Sequence, residues 1–144
     1  MTPTLRGRWQ TRTFLMVVIG IPITLPFCVL ALLTMPLSAP LPLAMLAVVW
    51  GVGMGLDPLY QRALRRRWDH DWPVHLQLWA GLLEFGISLF LLFGWCGGFA
   101  LINPGLLIVF PLHYLLVWGF SFLMVQGPMR VLFPRWRYQG GQLR

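Results

Sequence analysis

Glu84 is the residue on which any chemistry in this 144-residue chain would turn, because it is an acid set deep in an apolar run. The run spans 74–95 and is interrupted only by His75, Gln77, Glu84 and Ser88. A second titratable group, His113, stands inside another apolar run, 106–126, together with Pro111 and Ser121. At the rise of an α-helix, Glu84 lies about 15 Å in from one end of its run and His113 about 12 Å in from the opposite side. In a hydrocarbon core about 30 Å thick the two depths nearly coincide. Antiparallel neighbours would therefore bring Glu84 and His113 together if their faces agree. A carboxylate at the centre of a bilayer costs about 2.5–3.5 kcal/mol, so Glu84 must be neutral, paired, hydrogen-bonded or open to water. One reading makes it a site for a proton, a cation or a cationic substrate, with His113 as titrating partner. The plainer reading makes it a fastener between two helices, either protonated or paired with His113, with Ser88 or Tyr114 nearby. A third pairs it with a basic residue supplied by another subunit.

Other constellations are weaker. Asp69-His70-Asp71 holds metal-binding residue types, but three adjacent loop residues do not converge easily on one ion, and the usual cluster spacings are missing. Axial haem ligation by His75 and His113 would join residues separated by roughly half the membrane. No nucleophile elbow, phosphate loop, paired zinc histidines or acid-rich metal site occurs. The sequence thus points to a non-enzymatic protein without metal or cofactor. Cys28 and Cys96 show no metal spacing and suggest no disulfide framework.

The elements that must position these residues follow from composition. Of the chain 58% is hydrophobic and 10% charged, against about 25% charged in ordinary soluble domains. A water-soluble core could not consume that much apolar surface. We expect an all-α integral membrane protein forming one domain over 1–144, with four spans at about 14–35, 41–56, 74–95 and 106–126 arranged as two antiparallel hairpins. The first span is read as retained, since its apolar run exceeds the about 7–15 residues of a signal peptide's hydrophobic region and Pro40 follows the nearest small-residue site. Pro22 and Pro26 should bend or loosen it. In the second span Gly51 and Gly55 share a face at i and i+4 and suggest a close helix–helix contact. Asp57-Pro58 reads as an N-cap and first-turn pair opening a short amphipathic helix to about Trp68, lying in the membrane interface between spans two and three.

Charge fixes the expected orientation. All eleven basic residues are arginine, and the net charge is +7. With four spans, every arginine falls in 1–13, 57–73 or 127–144, on one side. Arginine excess beside span ends marks the cytoplasmic face, so both termini are expected to be cytoplasmic in an inner or plasma membrane. The arginine groups flank apolar spans instead of covering a folded basic face, which argues against nucleic acid as a partner. Arg62, Arg65, Arg66, Arg67, Trp68, Arg135 and Arg137 form the expected docking surface for anionic lipid headgroups or a partner protein. Size, the lack of reaction motifs and this surface suggest an accessory, assembly or scaffold subunit of a larger membrane complex. The alternative is a small oligomeric proton- or cation-coupled transporter or channel that uses Glu84. Either implies a membrane protein partner or a second copy of the chain.

Overall fold

The computed structural model describes residues 4–34, 39–66, 73–95, 106–134, 136 and 142–143. Among them the chain is helical. The first helix runs as Leu5–Leu15, a π-helical turn Met16–Gly20, and Ile21–Thr34. Leu41–Arg65 forms the second helix, and Val74–Leu89 continued by a π-helical Phe90–Trp95 forms the third. Leu106–Gln126 is the fourth, followed by a short helix Pro128–Leu132. Four helices are long and apolar enough to cross a membrane. Their outer faces expose large apolar side chains, with Leu33 at 78%, Ile108 at 74% and Trp79 at 66% of full exposure. Water would not tolerate so continuous an apolar surface, whereas lipid tails cover it. The chain is a multi-pass membrane protein.

Local chemistry explains where the helices begin and bend. Thr4, in extended conformation, caps the first helix by accepting from the Gly7 amide at 3.1 Å, so the helix starts well before the apolar run. Arg6, Arg8 and Arg12 thereby become helical residues instead of a polar tail. Pro22 cannot donate to the carbonyl of Val18 and its ring crowds that carbonyl; the widened turn Met16–Gly20 lies just there. The second helix departs from expectation. It passes through Asp57-Pro58 without a break and ends at Arg65, so Asp57 is not the cap of a separate interfacial helix. Proline's fixed φ is compatible with a helix, so Pro58 removes one backbone bond without ending it.

Contacts set the packing. Thr13 meets Trp50, Gly20 meets Leu46, Tyr60 meets Ala80, Gln77 meets Gln126 and Thr11 meets Trp136. Two apolar clusters result. Met45, Val49, Phe110 and Tyr114 form one, with Phe85 stacked on Phe110 at a centroid distance of 5.7 Å. Leu15, Met129 and Trp136 form the other, near the arginine-bearing helix ends.

Glycine contacts separate the close approaches from open positions. Gly51 and Gly55 have nothing within 4 Å of where a Cβ would stand and both are exposed, so neither packs against another helix among the described residues. Gly53, on the opposite face, is the close contact: a side chain there would collide with the Arg12 guanidinium. Gly81 has the same relation to the Trp118 ring. Gly81→Ala should lower stability in detergent by about 1–3 kcal/mol through overpacking, while Gly51→Ala and Gly55→Ala should leave it unchanged or raised. Thermal unfolding followed by circular dichroism checks this; equal loss in all three variants would contradict the packing.

Candidate functional site

The site is built on Arg12, which leaves the first helix and enters the space between the second and third. Gly53 provides the room. Arg12 Nε donates to Asp57 Oδ2 at 3.2 Å, and Nη2 donates to Asp57 Oδ1 at 3.2 Å. The adjacent edge of the same guanidinium donates to Glu84, from Nη1 to Oε2 at 2.9 Å and from Nη2 to Oε1 at 2.8 Å. Arg12 is therefore bidentate to two carboxylates from two helices. Arg8, one turn earlier, places Nη1 3.9 Å from Asp57 Oδ1. Asp57 is 1% exposed and Glu84 6%. A planar fork with donors on two edges suits this geometry, and an ammonium could not reproduce it. Two arginines and two carboxylates compensate one another formally, so burial leaves no isolated charge.

Glu84 and His113 do not bond to each other. His113 Nε2 lies 2.8 Å from Thr24 Oγ1, and the ring meets Phe27 edge-on at 5.2 Å. The Thr24 hydroxyl donates its one hydrogen to the Gly20 carbonyl at 2.7 Å. It must then accept from His113, which assigns the Nε2–H tautomer. His113 Nδ1 is left as a buried acceptor without a partner among the described residues. Its role in the packing is to tie the fourth helix to the first. The third and fourth helices are tied by Tyr114, whose hydroxyl donates to the Gly81 carbonyl at 2.7 Å, and by Gln126 with Gln77 at 3.2 Å. Ser88 is fully buried, and its hydroxyl has no partner among the described residues.

A cavity of about 400 Å³ lies among the four helices. Glu84 and His113 both line it, so they share a space although they share no hydrogen bond. Arg8, Arg12, Asp57, Tyr60 and Tyr114 also line it, and Gln77, Gln126 and Arg130 carry it to the arginine-bearing end.

Outside the cavity, Arg62, Arg65 and Arg66 are exposed at the end of the second helix. Arg67, Trp68, Arg135, Arg137 and the Asp69-His70-Asp71 loop lie outside the described residues. Among the described residues no three His, Cys, Asp or Glu side chains gather where they could hold a metal ion. Arg12 and Asp57 are the site residues that the sequence reading missed. One signal was present: Arg8 and Arg12 are spaced i, i+4 and point one helical face, from the edge of the apolar run, toward the interior. No protein-family model, curated protein or solved structure matches the chain. Fold and site together define a multi-pass helical membrane protein with an internal arginine–carboxylate cluster.

Arg12→Lys keeps the charge and removes the fork. It should destabilise the folded protein by about 2 kcal/mol or more, because several charge-assisted bonds are lost at once. Chemical unfolding in mixed micelles measures it, and a lysine variant as stable as the parent would rule out the bidentate clasp.

Proposed function

We propose that this chain is a small non-enzymatic accessory, assembly or scaffold subunit of a larger membrane complex. In this reading its four helices form two antiparallel hairpins in an inner or plasma membrane, both termini are cytoplasmic, and the arginine-rich end is the docking surface. The observation that carries the reading is the closure of Glu84 on Arg12. Ion-carrying by Glu84 calls for a carboxylate that exchanges its partner during a cycle. Here both of its oxygens are engaged by a guanidinium that also holds Asp57. A group used in that way favours fastening of helices over transport. Arg62, Arg65 and Arg66, by contrast, are exposed together at one helix end, where anionic headgroups or an acidic partner surface can reach them.

Two measurements test this. A stable partner should co-purify with the tagged protein from membranes and be lost on replacing Arg65, Arg66 and Arg67 by alanine, while proteoliposomes of the parent show no pH-dependent flux. Flux that Glu84→Gln abolishes in a folded protein would replace the subunit reading with the transporter. For orientation, a reporter fused after Arg144 should read as cytoplasmic and one inserted at Ser38 as external; the reverse pattern overturns the topology.

A further inference from the structure

The internal cavity goes beyond a docking role for the arginine-rich end. We propose that it is a binding site for one acyl chain of an anionic glycerophospholipid from the surrounding bilayer, with the phosphate of the headgroup at Arg8 and Arg130. Three observations carry this.

The first is size and place. A cavity of about 400 Å³ falls within the range of roughly 300–1,000 Å³ typical of ligand sites. It follows the fourth helix from Gln126 to His113, a distance of about 20 Å along the axis. That is an elongated space suited to a chain, inside a bundle whose outer faces are apolar.

The second is wall chemistry. Leu15, Val117, Trp118, Phe122 and Val125 give one side of the cavity an apolar lining. Polar side chains line the other side along its length, from Gln126, which accepts from Arg130 at 2.7 Å at the mouth, through Glu84 to His113 at the inner end. An amphiphile can lay its chain along the apolar side and keep its head at the mouth.

The third is charge. Arg8, Arg12 and Arg130 line the cavity against Asp57 and Glu84, so one positive charge is in excess. Both carboxylates are engaged by Arg12. A cationic guest would have to displace that guanidinium from four hydrogen bonds, whereas a phosphate would add to the contacts of Arg8 and Arg130 and leave Arg12 on both carboxylates.

Native mass spectrometry of the full chain in a nonionic detergent tests the proposal, with dioleoyl phosphatidylglycerol, dioleoyl phosphatidylcholine and inorganic phosphate as probes. Phosphatidylglycerol should be retained in preference to phosphatidylcholine. Its binding should weaken by roughly tenfold or more when Arg8 and Arg130 are both changed to Gln. Ser121→Phe, which fills the cavity from the fourth helix, should also abolish retention. In case either variant fails to fold, a phosphatidylglycerol bearing a diazirine in its acyl chain should label the parent protein within 117–125. Equal retention of the two lipids would overturn the site. So would retention untouched by Ser121→Phe in a folded protein, labelling confined to outward-facing residues such as Leu33 or Ile108, or inorganic phosphate competing as well as the lipid does.

Discussion

The Arg12 guanidinium, held between Asp57 and Glu84, is the interaction on which the rest of the structure depends. Both acids are buried, on helices long and apolar enough to cross a membrane. An unpaired charge at such depth costs several kcal/mol, and removing one partner of a buried pair typically costs about 3–5 kcal/mol. Arg12 meets both needs with one side chain, because its fork presents donors along two edges. The first, second and third helices must then sit where those donors reach both carboxylates. Register follows from this constraint more strictly than from apolar contacts, which lipid tails could replace on any face.

Several smaller features serve the same geometry. Gly53 allows the guanidinium to lie against the second helix. The fourth helix is brought in separately, by His113 on Thr24 and by Tyr114 on the Gly81 carbonyl, so its position rests on neutral hydrogen bonds. Around these ties the packing is incomplete, leaving a cavity that reaches the arginine-bearing end. A bundle designed for stability alone would fill that space with side chains. The space stands beside a compensated charge cluster.

Much of the fold was legible in the sequence, because length and apolarity alone identify helices able to cross a bilayer. The four apolar runs of the sequence correspond to the four long helices. Helix ends were less legible. Thr4 starts the first helix early through a single capping bond, and Asp57-Pro58 resembles a cap although the helix continues through it. Glu84 announced itself as an acid without access to water, but its partner did not. Depth matched it to His113, whereas facing direction, which depth does not encode, gave it Arg12. Gly51 and Gly55 illustrate the same limit, since a shared face says nothing of which neighbour it meets, and Gly53 between them makes the contact.

Closed on arginine, the Glu84 carboxylate fastens helices, and exposed arginines and a lined cavity remain among the described residues. The central claim is that Arg12 and Glu84 act as one unit. A double-mutant cycle of Arg12→Gln and Glu84→Gln, read by reversible unfolding in micelles or bicelles, tests that claim most directly. The account predicts a coupling of about 2 kcal/mol or more, with the double variant more stable than the sum of the single losses implies. Losses that add within about 0.5 kcal/mol would show that the two residues act independently and would contradict it.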